Sequence, residues 1–91
     1  MFRFKGSEED KKDICRKFSD VLMALPDQIP QLKSMEVGKN INPAEKWDFV
    51  LIATADTLED VAIYSAHPAH VEAVKIIAPY KEDRACVDYK V

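Results

Sequence analysis

The stretch KWDFVLIATAD, residues 46–56, decides the fold because it predicts a β-strand that is apolar on both faces. One alternating set of positions is almost wholly apolar and consists of Trp47, Phe49, Leu51, Ala53 and Ala55. The other set has Val50 and Ile52 at its centre. A strand of this kind is expected to be covered by other protein groups on both faces.

The rest of the chain is expected to cover only one of these faces. With 91 residues the chain forms one domain, residues 1–91, and its helices suffice for a single layer. The second face then needs another protein surface, for which a second copy of the chain is the simplest source. The strand therefore predicts a homodimer built sheet against sheet. The alternative is a sheet curved around one helix, with Val50 and Ile52 partly exposed.

The segments before this strand predict two more strands and a helix. Residues 2–5, FRFK, alternate as a half-buried strand does, and Ser7 followed by acidic residues is typical of a helix start. The helix carries an apolar stripe of Ile14, Phe18, Val21, Leu22 and Leu25. Pro26 is expected to end it in the turn PDQIP. Residues 31–41 predict the second strand, with Met35, Val37 and Ile41 on one face.

The segments after it predict a broken helix and a last strand. Thr57 is a helix cap, and Pro68 should end that helix near His67 and begin another. The second segment should end before Pro79. Residues 84–91, RACVDYKV, alternate with Ala85, Val87, Tyr89 and Val91 on one face. The order β-α-β-β-α-β predicts an α+β, ferredoxin-like fold, in which helices cover one face of a four-stranded antiparallel sheet.

Composition and charge argue against several classes of function. A net charge of −3 does not fit nucleic-acid binding, and two glycines cannot build a nucleotide-binding loop, so no cofactor is indicated. No apolar run approaches the ~20 residues that span a membrane, and no signal peptide is recognised, which favours a cytoplasmic protein without a membrane partner. Cys15 and Cys86 have no metal-binding spacing and are expected as reduced thiols, with a disulfide between them as the alternative.

Taken together, the segments resemble the stress-responsive α/β-barrel (Dabb) domain family, part of the dimeric α/β-barrel superfamily. The matching pieces are LPDQIPQLKSMEVGKNI, WDFVLIATADTLEDVAIYSAHPAHVEAV and VDYKV, of which YSAHPAHV is the most specific. The resemblance implies a homodimer whose two sheets close into a barrel with the helices outside. It also implies a stress-response-type domain without assured catalytic activity. Separately, the aromatic residues are expected in the core or at an interface, and a subset of them is expected to line an apolar pocket between the sheet and the helices for a small apolar or aromatic ligand. These residues are Phe2, Phe4, Phe18, Trp47, Phe49 and Tyr89. Family members usually begin their first strand several residues earlier, so an N-terminus upstream of Met1 stays open.

One plant branch of the family consists of polyketide cyclases, and it implies two catalytic candidates. In those enzymes the second histidine of HPAH acts as a general base, and a tyrosine three residues before the first histidine supports it. The matching positions are His70 and Tyr64. An imidazole can remove a proton from carbon beside a carbonyl, and a tyrosine hydroxyl can bind the enolate oxygen. The cyclases have a further pocket histidine where this chain has Phe49, which makes the predicted pocket more apolar.

The residues also allow a structural interpretation of the HPAH segment. His67 would then bind the exposed backbone at the helix junction, and His70 would be an ordinary first-turn residue. A metal site at the two histidines is not expected, because Pro68 breaks their helical spacing and no nearby acid or cysteine completes a ligand set. Three functions therefore stay open. The first is a non-catalytic homodimer that binds a small apolar ligand, and the second is a proton-transfer enzyme acting on a carbonyl substrate through His70 and Tyr64. The third is a domain whose surface binds a different protein partner.

Overall fold

Four strands form one antiparallel sheet, and four helices lie on one of its faces. The computed structural model describes residues 1–90. The elements follow the chain as β1 (Phe2–Phe4), α1 (Glu8–Met23), α2 (Leu25–Gln28), β2 (Ser34–Lys39), β3 (Phe49–Thr54), α3 (Leu58–Ala66), α4 (Pro68–Ile77) and β4 (Lys81–Arg84). The sheet order β2-β3-β1-β4 is the ferredoxin-like arrangement, so the predicted fold class is confirmed. None of the helices within these residues is long and apolar enough to cross a membrane.

An aromatic cluster fills the space between the sheet and the first helix. The rings of Phe2 and Phe4 leave β1 on the same side, and Phe18 of α1 meets them there. Phe18 lies edge-on to Phe2, at 5.5 Å between ring centroids, and 5.3 Å from Phe49 of β3. All four rings are buried. Edge-to-face packing of this kind adds to the free energy gained by removing the rings from water.

The hairpin of β2 and β3 has a register that sorts its side chains by face. Met35 lies opposite Ala53 and Val37 opposite Leu51 on the side that packs against the helices. Gly38 lies opposite Val50 on the other side, because successive residues of a strand point to opposite faces. Residues 1–90 therefore cover one face of the sheet only.

Side chains cap α1 and α3, as the sequence predicts. The Ser7 hydroxyl accepts a hydrogen bond from the Asp10 amide, and the Asp10 carboxylate accepts one from the Ser7 amide, which completes a capping box. The Thr57 hydroxyl accepts a hydrogen bond from the Asp60 amide at the start of α3. These bonds satisfy amides that a helix leaves without partners in its first turn.

Three predictions about element ends are wrong. The first helix ends at Met23, and Pro26 lies in the first turn of α2, where a proline loses no helical hydrogen bond. The segment PDQIP is therefore not simply a turn. The second strand is shorter than predicted, and Ile41 beyond it is 95% exposed rather than part of the buried face.

The prediction of a last strand over residues 84–91 is also wrong. The strand that pairs with β1 is Lys81–Arg84, whose four side chains are all exposed. Residues 85–90 form no strand, and Val91 lies outside the described residues. The charged segment takes the edge position because backbone pairing with β1, rather than burial of its side chains, holds it there. Tyr89, predicted to be a core or interface residue, is 68% exposed.

Asp48, the residue before β3, links β3 to β1, and these two strands have the shortest backbone pairing in the sheet. The two strands pair in register at one position, Phe2 with Phe49. Beside this pair, the Asp48 carboxylate accepts a hydrogen bond from the Phe4 amide at 2.8 Å and lies 3.5 Å from the Lys11 ammonium. The side chain thus supplies the acceptor that a longer ladder would have provided.

We expect Asp48→Ala to lower the free energy of unfolding by about 1–3 kcal/mol, because it leaves a half-buried amide without an acceptor. Asp48→Asn is the matched control, since its amide oxygen still accepts from Phe4 while the ion pair with Lys11 is lost. An ion pair this exposed contributes about 0–1 kcal/mol. Urea denaturation at one fixed protein concentration measures both variants. Equal losses for the two variants would contradict the assigned role of the hydrogen bond.

Candidate functional site

The two histidines lie at the junction of α3 and α4. His67 has an extended backbone, with φ −63° and ψ 136°, and separates the two helices. Its Nδ1 accepts a hydrogen bond from the Ala69 amide at 3.0 Å and so caps α4, while Pro68 occupies the first turn. The structural role predicted for His67 is confirmed.

The structure brings His70 and Tyr64 together across this junction. Their rings lie 4.5 Å apart between centroids and are inclined by 56°. Tyr64 comes from the last full turn of α3 and is buried, whereas His70 comes from the first turn of α4 and is half-buried. The break at Pro68 therefore places two side chains six positions apart in ring contact.

A backbone carbonyl fixes the proton of the His70 ring. Nδ1 of His70 lies 2.9 Å from the carbonyl oxygen of Ser65, near the end of α3. A carbonyl oxygen can only accept, so Nδ1 donates and carries the hydrogen. In the neutral ring, Nε2 then holds the free electron pair. This is the tautomer that a base acting through Nε2 requires.

Burial raises the pKa of Tyr64 to about 12, and the nearby Arg84 guanidinium opposes this rise. An uncharged hydroxyl loses less than a phenolate when it leaves water, which is why burial shifts the pKa upwards. Tyr64 consequently stays protonated at neutral pH. Its hydroxyl is able to donate a hydrogen bond to an oxygen that gains negative charge.

This pKa gives an expected pH dependence of stability. The unfolded chain ionises Tyr64 near pH 10, whereas the folded chain holds the proton until about pH 12. Stability is therefore lost as the pH rises from 10 to 12, on the order of 1–2 kcal/mol after solvent screening. Urea denaturation between pH 9 and 12 measures the loss, and Tyr64→Phe should remove this part of it. Parallel curves for wild type and variant would contradict the raised pKa.

An apolar surface groove of about 290 Å³ opens beside His70. Its lining comes from α3, α4 and the residue that caps α4, namely Ser65, His70, Val71, Val74, Lys75 and Ala78. His70 and Lys75 are the ionisable residues of this lining. The Lys75 ammonium is 3.0 Å from the Glu72 carboxylate, and both side chains are largely exposed.

The aromatic residues predicted to line a pocket lie elsewhere. Phe49 is buried in the aromatic cluster, and neither it nor Trp47 lines the groove beside His70. Both border a second hollow of about 330 Å³ at one end of the sheet, together with Met1, Gly38, Lys39, Asn40, Glu45 and Val50. Ser65 could not be found from residue types, because its contribution to the site is a backbone carbonyl.

The face of the sheet away from the helices is the other feature of note. We call it the outer sheet face, with Val50 and Ile52 at its centre and Gly38 beside Val50. Val50 is 39% exposed and Ile52 is 42% exposed. These two apolar residues of a central strand have no covering layer within the described chain.

The cysteines are free thiols in the described part of the chain. Cys15 is buried, which raises the pKa of its thiol, and Cys86 is exposed. Over residues 1–90 no three histidine, cysteine or acidic side chains come together as metal ligands would.

Several solved structures are similar to the chain over nearly its whole length. A dimeric protein of unknown function with a ferredoxin-like fold, from Bacteroides fragilis, is 41% identical; the match covers 99% of this chain and 89% of that one, with a TM-score of 0.95. A dimeric ferredoxin-like protein of unknown function from Thermobifida fusca is 28% identical over 100% and 85%, with a TM-score of 0.78. A protein from Arabidopsis thaliana is 26% identical over 99% and 88%, with a TM-score of 0.75.

A search among curated proteins finds no match. The family model for the stress responsive A/B barrel domain, Dabb, matches residues 1–91. Its match agrees with the ferredoxin-like sheet order and with the resemblance noted in YSAHPAHV. The chain therefore belongs to the stress responsive A/B barrel (Dabb) domain family.

Proposed function

We propose that this chain acts as a homodimer whose two copies pack through their outer sheet faces, and that it binds a small apolar ligand in the groove beside His70. The exposure of Val50 and Ile52 carries the proposal. Two exposed apolar residues side by side on one face of a central strand favour association in water, and a dimer formed through that face would bury them. The dimeric state named for the relatives from Bacteroides fragilis and Thermobifida fusca supports it.

The ligand proposal rests on the chemistry of the groove. Val71, Val74 and Ala78 offer an apolar wall, while His70 and Lys75 offer polar anchors at its rim. Ligand sites commonly combine an apolar lining with a few polar groups that fix orientation. The expected ligand has a short apolar or aromatic body and one carbonyl or carboxylate group.

Octanoate is a suitable probe, followed by amide chemical shifts in the ¹⁵N-labelled protein. We expect saturable shifts confined to the groove residues. Val71→Asp should abolish them, because it puts a carboxylate on the apolar wall. Ile63→Asp is the matched control, since Ile63 is 41% exposed against 43% for Val71, lies on α3 and does not line the groove. Shifts that are absent, or unaffected by Val71→Asp, would contradict the ligand proposal and leave the homodimer to its own test.

A second function, proton transfer on a carbonyl substrate, is favoured by the His70–Ser65 hydrogen bond. This bond leaves Nε2 as the basic nitrogen, and Tyr64 keeps its hydroxyl proton. His70 would remove a proton from the carbon next to the carbonyl, and Tyr64 would donate a hydrogen bond to the enolate oxygen. The same contacts would also be present if they only held α3 and α4 together. A measurement of activity is therefore needed to distinguish the two roles.

Acetophenone in D₂O provides the measurement, through the loss of its methyl proton signal. If this function holds, the protein accelerates exchange, and His70→Gln reduces the acceleration by about 10²-fold or more. Glutamine retains an N–H donor for the Ser65 carbonyl but has no basic nitrogen, so the fold should persist. Tyr64→Phe should also slow exchange. Equal rates with wild type and His70→Gln would rule out the catalytic role.

A further inference from the structure

The hollow of about 330 Å³ lies where β2 ends and β3 begins, and its lining combines apolar and charged side chains. Trp47, Phe49 and Val50 contribute apolar surface, while Gly38 adds no side chain. A Cβ at Gly38 would lie 3.3 Å from Cγ1 of Val50, so a larger residue there would crowd this lining. The hollow is large enough for a small molecule, since ligand sites begin at about 300 Å³.

Two side chains of opposite charge, Lys39 and Glu45, also line the hollow. Both are exposed, and neither belongs to an ion pair within the described chain, so they are not paired with each other either. The neighbouring cation differs, because the Lys46 ammonium lies 4.8 Å from the centroid of the Trp47 ring and 3.6 Å from the Asp83 carboxylate. The hollow therefore presents a side-chain ammonium and a side-chain carboxylate without ionic partners, beside an aromatic surface.

Side-chain hydrogen bonds hold the loop that carries Glu45 and Trp47. The Asn40 side chain donates to the Trp47 carbonyl oxygen at 2.6 Å and accepts from the Asn42 amide at 2.8 Å. The Asn42 side chain accepts from the Ala44 amide at 3.0 Å, and the Glu45 amide donates to the Asn42 carbonyl oxygen at 3.2 Å. These bonds fix the course of the loop before a ligand arrives, which lowers the entropy cost of binding.

The charged side of the hollow lies apart from the outer sheet face. Lys39 pairs with Phe49, whose ring is buried under the helices, so the Lys39 side chain leaves the sheet on the helix side. Glu45 belongs to the loop between β2 and β3. Gly38 and Val50, in contrast, belong to the outer sheet face. The inference from these two charges therefore depends neither on the homodimer nor on the groove of α3 and α4.

We propose that this hollow binds a free α-amino acid with an apolar or aromatic side chain. The α-carboxylate of the ligand lies against the Lys39 ammonium, its α-ammonium against the Glu45 carboxylate, and its side chain against Trp47 and Val50. Hydrogen bonds between charged groups are stronger than those between neutral groups. A zwitterion satisfies both charges of the hollow at once, whereas an apolar acid or an apolar amine leaves one of them without a partner.

Fluorescence tests this proposal directly, because Trp47 is the single tryptophan of the chain and lines the hollow. L-Phenylalanine is a suitable probe, since it does not absorb at the long-wavelength edge at which tryptophan is excited. We expect a saturable change in Trp47 emission, with a Kd about tenfold or more below those of 3-phenylpropionate, which lacks the ammonium, and phenethylamine, which lacks the carboxylate. No saturable change with L-phenylalanine, or equal Kd values for the three compounds, would overturn the proposal.

Variants that remove one charge assign the two contacts. Glu45→Gln should raise the Kd of L-phenylalanine about tenfold without weakening the binding of 3-phenylpropionate, and Lys39→Gln should do the same without weakening the binding of phenethylamine. Lys12→Gln on α1 and Glu59→Gln on α3 are matched controls, since both residues are exposed and lie outside the hollow. The controls should bind L-phenylalanine as the wild type does. Equal Kd values for the hollow variants and the controls would overturn the assignment of the two charges.

Discussion

Ile52→Asp is expected to convert the homodimer into a monomer that keeps its fold. Ile52 is 42% exposed in the single chain, so a carboxylate there stays hydrated when the chain is alone. In the dimer the same carboxylate would enter an apolar interface, at a cost of several kcal/mol per charge, and the two-fold symmetry applies that cost twice. Since 1.4 kcal/mol is a tenfold change in Kd, the dimer should weaken by about 10³-fold or more.

Sedimentation over a dilution series measures this change, with circular dichroism as the check on folding. Ile63→Asp is the matched control because Ile63 is 41% exposed, has the same side chain and lies on the helical layer instead of the sheet. The control should remain dimeric. If Ile52→Asp stays dimeric, or if Ile63→Asp dissociates equally, the outer sheet face is not the contact.

Phe49→Ala is expected to lower the free energy of unfolding by about 3–5 kcal/mol. The ring is 2% exposed and packs against Phe18 and Phe4, so its removal leaves a cavity bordered by other aromatic rings. A loss of this size is a large part of the 5–15 kcal/mol that stabilises a typical domain. Urea denaturation, at the same protein concentration for all variants, measures this loss in the free energy of unfolding.

Phe49→Leu provides the comparison for this variant. It keeps most of the buried volume and should cost about 1 kcal/mol. The difference between the two variants isolates the cavity from the loss of aromatic character. Nearly equal losses would show that the surrounding rings do not depend on the volume at Phe49, contrary to the packing described.

The sequence specified the buried parts of the fold well, because there the side-chain pattern and the burial agree. The alternation in residues 46–56 located β3, and Pro68 marked the junction at which His67 caps α4. The edge strands followed a different rule. β4 is held by backbone bonds to β1 and carries only charged side chains, whereas the apolar alternation that suggested a strand lies further along, in residues 85–90.

The candidate site could be predicted only in part. The family resemblance carried by YSAHPAHV pointed to Tyr64 and His70, and their rings are in contact. The carbonyl of Ser65, which sets the His70 tautomer, is a backbone group and leaves no trace in residue types. The open groove of α3 and α4 depends on the angle of two helices at His67, which a spacing of residues does not fix.

The mass of the wild-type protein in dilute solution tests the central claim most directly. Light scattering coupled to size exclusion, from micromolar concentrations downwards, should give twice the 10.3 kDa mass of one chain. A mass of one chain at every concentration would contradict the pairing of the outer sheet faces.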